Sequence, residues 1–202
     1  MKILNLYAGI GGNRKNWGDE HEITAVENVQ DIANVYQALF PKDKVIVADA
    51  HQYLIEHHQE FDFIWSSPPC PSHSKIRRYT SVEKGQVKPI YPDMKLYEEI
   101  IFLKHYFKGK WCVENVIAFY EPLIPPNEID NHWFWTNFYV EDFNSAMSRG
   151  HHSLIKDLSA RKGFDLSKFK NVDKTKLLRN CVEPEIGLHI LKEALKETPK
   201  LF

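Results

Sequence analysis

The chain has 202 residues, 43% of them apolar and 26% charged, with a formal net charge of −1. That is the make-up of one soluble globular domain, and it excludes collagen-like, low-complexity and largely disordered chains. No run of about 18 apolar residues offers a membrane span, and the start Met1–Tyr7 is too short and too soon followed by glycines for a signal peptide.

Lys2–Tyr7 alternates and is then cut by Ala8-Gly9-Ile10-Gly11-Gly12, a buried strand running into a glycine-rich turn. Glu22–Glu27 is a second strand. Val29–Phe40 has an apolar helical face at Ile32, Ala33, Val35, Tyr36 and Leu39, with Pro41 just past it. Val45–Ala48 is a third strand, His51–His58 a short helix, and Phe61–Trp65 a fourth strand stopped by Ser66-Ser67-Pro68-Pro69. Asp93–Phe107 is an amphipathic helix and Trp111–Glu114 a fifth strand. Strands alternating with helices imply crossover units and a mostly parallel α/β sheet. Beyond Asn115 the prolines 122, 125 and 126 mark a loop, Trp133–Val140 is an aromatic strand, Asn144–Lys176 is polar and weakly periodic, and Pro184–Lys196 is a terminal helix.

Three places at strand ends carry chemistry. Glycines after the first strand let a ligand approach the backbone, and open α/β sheets bind ligands beyond the carboxyl ends of their strands. Glu27 ends the second strand, where a carboxylate can accept from ribose hydroxyls, and Asp49 follows the third. At this point a nicotinamide cofactor and S-adenosylmethionine both remain open, although the spacing departs from G-x-G-x-x-G. Cys70 lies between prolines after the fourth strand, which fixes the direction of its thiol. A free thiol is only about 3% thiolate at pH 7, so a nucleophile there needs help from its surroundings. Glu114 ends the fifth strand and points a carboxylate into the same cleft, where it can serve a ring nitrogen. Cys112 and Cys181 fit buried apolar positions. With no Cys-x-x-Cys spacing, all three cysteines read as reduced thiols of a cytoplasmic protein.

The near-zero net charge gives no case for a nucleic-acid partner, but its distribution does. Asp19–Asp62 holds ten acids against two bases; Lys75–Lys88 holds five bases against one acid, and Lys156–Arg179 eight against three. Such segregation can make a binding face, or simply a solvated one.

Taken in order, Tyr7-Ala8-Gly9-Ile10-Gly11-Gly12, then Ser67-Pro68-Pro69-Cys70 with Ser74 four residues on, then Glu114-Asn115-Val116, then Arg179-Asn180-Cys181-Val182 resemble the motifs of the cytosine-C5 DNA methyltransferases. The resemblance implies a Rossmann-like, class I S-adenosylmethionine-dependent fold with helices on both faces of a mostly parallel sheet. It makes residues 1–140 with 178–202 the catalytic domain and 141–177 a minimal, irregular target-recognition insertion. By the same resemblance Cys70 adds to C6 of a flipped-out cytosine while Glu114 serves N3, and C5 takes the methyl group. Tyr7, Gly9, Gly11, Gly12, Glu27, Asp49, Pro69, Asn180 and Val182 would bind S-adenosylmethionine and its product S-adenosylhomocysteine. Ser74, Arg77, Arg78, Lys84, Lys88 and Asn115 would contact substrate or DNA phosphates. The implied partner is double-stranded DNA, the chain a monomer; neither a membrane nor a metal is expected. A restriction partner is left open.

Departures from the family are equally plain. Pro71 stands where the family has glutamine, and Gln-x-Arg-x-Arg is absent from Asn131–Phe138, with Arg149 and Arg161 unassigned as substitutes. Only 37 residues, Glu141 to Leu177, separate the strand from the late motif. That likens the chain to the compact members of viral and mobile genomes, with Lys156–Arg179 as the candidate reader. The same chemistry on tRNA and a non-catalytic protein that binds DNA or cofactor both stay open. The pairs His57-His58 and His151-His152 read as surface and Trp133 and Trp135 as core, while for His73 substrate contact and loop exposure are both open.

Overall fold

The fold is a computed structural model in which residues 1–143 and 154–196 are described. The strands are β1 (Lys2–Leu6), β2 (Glu22–Glu27), β3 (Lys44–Val47), β4 (Phe63–Ser66), β5 (Lys110–Val116), β6 (Asn127–Ile129) and β7 (His132–Thr136). They form one sheet in the order β3-β2-β1-β4-β5-β7-β6. β1 to β5 pair in parallel, and β7 alone runs antiparallel to its neighbours. The helices are α1 (Gln30–Leu39), α2 (Ala50–His57), the single turn α3 (Lys75–Arg77), α4 (Lys95–Tyr106), α5 (Ile155–Lys162), α6 (Lys174–Arg179) and α7 (Pro184–Leu195).

The period of two along each strand sorts side chains onto two covered faces. Leu4, Leu6, Ile64 and Val113 meet α2 through Leu54 and α4 through Ile100 and Leu103. Ile3, Phe63, Trp65 and Cys112 meet Ile186, Ile190 and Leu191 of α7, and α1 lays Tyr36 on Ala25. This is the Rossmann-like α/β architecture. Strand order reverses between β1 and β4, so the loops after these two strands open side by side. Chains of this topology bind ligands at that switch point.

Element boundaries shift where side chains compete with the ladder. β1 stops at Leu6 because Tyr7 takes φ 54, a left-handed value that no strand continues. The aromatic strand ends at Thr136, not Val140. There Asn137 accepts from the Trp111 N–H and donates to the Gly109 carbonyl, and the Thr136 hydroxyl donates to Phe138 O. β6 lies within the proline-marked loop, three residues long and too short to show a period. Helices α5 and α6 occupy the weakly periodic stretch; α5 buries only Leu158 and Lys162, α6 only Leu177 and Leu178. A buried lysine hides the pattern. Leu158, Phe164, Leu166, Leu177 and Leu178 pack with Ile10, Val35 and Cys181, so residues 155–178 rest on the glycine turn and α1. His151-His152 and Arg149 lie outside the described residues.

Candidate active site

The glycine turn is a close fit between distant parts of the chain. Gly9 (φ 54) and Gly11 (φ 78) take left-handed backbone. A Cβ on Gly9 would meet nothing within 4 Å, which leaves the backbone open to a ligand there. A Cβ on Gly12 would lie 2.4 Å from Val182 O, so the late motif Asn180–Val182 packs directly against the turn. Cys181 and Val182 are buried and Asn180 is exposed. A buried ion pair backs the turn: Arg14 donates to both oxygens of Asp43 at 2.8 and 3.0 Å, and Tyr36 Oη donates to Asp43 at 2.9 Å.

Both strand-end acids have structural bonds as well as free lone pairs. Glu27, buried, accepts from the N–H groups of Gly9 (3.1 Å) and Val29 (3.0 Å). Asp49 caps α2 by accepting from Gln52 N at 2.9 Å. Beside Asp49 opens a cleft lined by Tyr7, Asn28, Asp49, Pro68, Pro69, His73, Asp93, Lys95 and Leu96.

The cysteine loop and the Glu-Asn-Val strand are stitched together. Asn115, buried at the end of β5, donates to Pro68 O at 3.0 Å. Past Cys70 the chain returns alongside β5's extension, with Phe119 N–H donating to His73 O and Lys75 N–H to Ile117 O. Ser74 caps α3 by accepting from Arg77 N. Cys70 is half-buried. Its thiol is raised above the ordinary value, first by burial and then by the negative charge of nearby Glu114. Cys112 and Cys181 are buried, the latter pushed up to about 12.

Basic side chains gather on the loop after Cys70. Lys84 and Lys88 are exposed, Arg77 donates to Lys88 O, and Arg78 lies 5.5 Å from the Phe119 ring and 3.7 Å from Glu83. In the Lys156–Arg179 stretch, Lys162 is buried and donates to Cys181 O and Glu183, while Arg161 pairs with Glu183 at 2.7 Å. Lys156, Lys168, Lys170, Lys176 and Arg179 are exposed. His73 is buried and not a free loop residue; its Nδ1 meets Tyr120 Oη at 2.5 Å, and its Nε2 has no partner among the described residues. Trp133 and Trp135 are buried in the core.

Sequence reasoning missed three groups. His132 on β7 sets its Nε2 3.7 Å from Glu114, on the strand where the arginine motif is absent. Asp93, Lys95 and Leu96 line the cleft from the start of α4. Glu99 is fully buried beneath Tyr7. Its one sequence signal is an acid on the apolar stripe formed by Leu96, Ile100 and Leu103. Among the described residues no cluster of metal-ligating side chains occurs, and no helix is long and apolar enough to cross a membrane.

The family model for C-5 cytosine-specific DNA methylase matches residues 1–116, from β1 through the Glu-Asn-Val strand. A tRNA (cytosine(38)-C(5))-methyltransferase of Spodoptera frugiperda is 33% identical over 84 residues, 39% of this chain; the chain spans 25% of that enzyme's length. Among solved structures, a triply substituted DNMT2 of the same species is 27% identical over 57% of this chain and 35% of its own, with a TM-score of 0.39. An S-adenosylmethionine-dependent methyltransferase of Agrobacterium tumefaciens is 13% identical over 59% and 40% of the two chains, with a TM-score of 0.42. The cofactor is S-adenosylmethionine, and the residues present fit it: an uncrowded Gly9 backbone beside a buried strand-end carboxylate, next to a cleft walled by a tyrosine ring and two prolines. With the family model covering residues 1–116, more than half of the 202, the chain belongs to the C-5 cytosine-specific DNA methylase family.

Proposed function

We propose that the protein methylates C5 of cytosine in DNA through a covalent adduct on Cys70. The observation that carries this reading is the joining of the Pro-Pro-Cys loop to the Glu-Asn-Val strand through Asn115 and Pro68. That bond ties the loop bearing a half-buried thiol to the strand bearing Glu114, whose negative charge acts on that thiol. S-adenosylmethionine, when bound, supplies an electrophilic methyl group. Cys70 thiolate forms a bond to C6 of the ring, and the C5–C6 electron pair moves to C5. Glu114 holds a proton at N3 and so spreads the charge that develops there. C5 would take the methyl carbon as that carbon's bond to the sulfonium sulfur breaks, with S-adenosylhomocysteine as the leaving product. Water then removes the C5 proton, the C–S bond breaks, and the thiolate and the C5–C6 double bond return.

A base inside a duplex cannot reach Cys70, so it is swung out at a cost of a few kcal/mol. The exposed Lys84 and Lys88, with Arg77 and Arg78, would hold phosphates beside it. Glu27 and Asp49 would accept from the ribose and the adenine of the cofactor, with Tyr7 and Pro69 as walls. Residues 141–177 would choose the target through their exposed lysines. Trapping on 5-fluorocytosine DNA with S-adenosylmethionine tests the chemistry. The wild type is expected to form a denaturant-stable complex that Cys70→Ala cannot form, and a complex with Cys70→Ala would refute the role. The 33% identity to a tRNA methyltransferase favours RNA as the second reading. Competition between unlabelled tRNA and labelled DNA decides between them.

A further inference from the structure

Glu99 is a carboxyl group fully buried on α4, and it lies outside the steps above. Isolated buried carboxylates are costly, so their partners show what holds them. Tyr7 Oη donates to Glu99 Oε1 at 2.6 Å, and His51 Nδ1 is 3.0 Å from the same oxygen. Ser66 Oγ donates to Oε2 at 2.5 Å. These three donors come from the loop after β1, the first turn of α2 and the last residue of β4. Tyr7 is the residue under strain: its φ of 54 is left-handed, and such a backbone persists only where surrounding contacts over-determine it. Its ring faces the cleft that Asp49 and Pro69 also line. Burial and the Glu99 charge both raise the Tyr7 phenol, so the proton stays on oxygen and the donor role is fixed.

We propose that Glu99 is a positioning residue of the cofactor site, which acts by holding the Tyr7 ring as a fixed wall of the cleft. The inference rests on the cofactor assignment and adds a residue 92 positions away from Tyr7. Without that bond, Tyr7 can leave its left-handed conformation and the wall is lost. His51 shares the oxygen that Tyr7 bonds and Ser66 holds the other, which keeps the carboxyl group aimed at Tyr7.

Calorimetric titration with S-adenosylhomocysteine tests this without turnover, alongside thermal melts of each variant. Tyr7→Phe keeps the ring and removes only the donor; Glu99→Gln keeps the shape and loses one acceptor. Each is expected to weaken binding by about tenfold, the usual scale of one hydrogen bond to a charged group. The double variant is expected to bind no worse than either single one, because both break the same link. A merely structural Glu99 would lower the melting temperature and leave the affinity of Tyr7→Phe at the wild-type value, which would overturn the inference. Additive losses in the double variant would overturn it too. Absence of binding by the wild type would instead overturn the cofactor assignment.

Discussion

The packing of the glycine turn against the late motif makes Gly12→Ala a sharp test of the site's construction. A Cβ there would lie 2.3 Å from Cys181 Sγ, 2.4 Å from Val182 O and 2.9 Å from Val182 N. Two of these three atoms are backbone, so no rotamer change relieves the overlap. Forced over-packing of this kind costs about 1–3 kcal/mol. For a chain of this size each kcal/mol lowers the melting temperature by roughly 2–4 °C, so a fall of roughly 2–12 °C is expected. Gly9→Ala is the matched control. Its Cβ meets nothing within 4 Å, and the only penalty is the left-handed φ of 54, about 1–2 kcal/mol. Its added methyl stands where the cofactor would approach. Both variants should therefore lose stability, and Gly9→Ala should in addition lose binding. Circular-dichroism melts and S-adenosylhomocysteine titrations separate the two. A Gly12→Ala protein that melts within about 1 °C of wild type would refute the reasoning, since over-packing of this size cannot be silent.

Removing Asp43 leaves the Arg14 guanidinium, whose side chain is 4% exposed, with only the longer 3.3 Å contact to the exposed Asp19. Asp43→Ala should cost about 3–5 kcal/mol in urea unfolding; a loss below about 1 kcal/mol would show that the pair is not held dry. Cys70 should titrate above the ordinary thiol, because burial and the Glu114 charge both disfavour the thiolate. Its alkylation by iodoacetamide should rise about tenfold per pH unit up to and beyond pH 8.5. Glu114→Gln removes the neighbouring negative charge and should move the midpoint down; an unmoved midpoint would separate the two groups. Cys112 and Cys181, buried and raised further, should not interfere below pH 9.

The parallel half of the sheet was legible because its strands are alternating or continuous apolar runs bounded by glycine and proline, as at Lys2–Leu6 and Phe63–Ser66. The motif residues were legible because their chemistry sits at strand ends, where topology alone brings them together. What stayed hidden depends on pairs far apart in sequence. Nothing near Tyr7 announces Glu99, and nothing near Arg14 announces Asp43, 29 positions on. On β7 the eye looks for arginine, whereas the ionisable group beside Glu114 is a histidine. The α5–α6 stretch looks polar because Lys162 buries its stem and spends its charge on Cys181 O and Glu183.

The glycine turn is gripped by residues far from it along the chain. Gly12 abuts Val182, Asn13 leaves no room for a side chain on Gly187, and Trp17 donates to Gly187 O across 170 positions. Closing loops of that length is slow and comes late in folding. A folding chain can therefore assemble its parallel strands while its turn still lacks a floor. Competence to hold the methyl donor then arrives only as α7 docks. The same grip runs in reverse: any ligand that settles on the turn selects chains whose α7 is in place, and so steadies a helix distant in sequence.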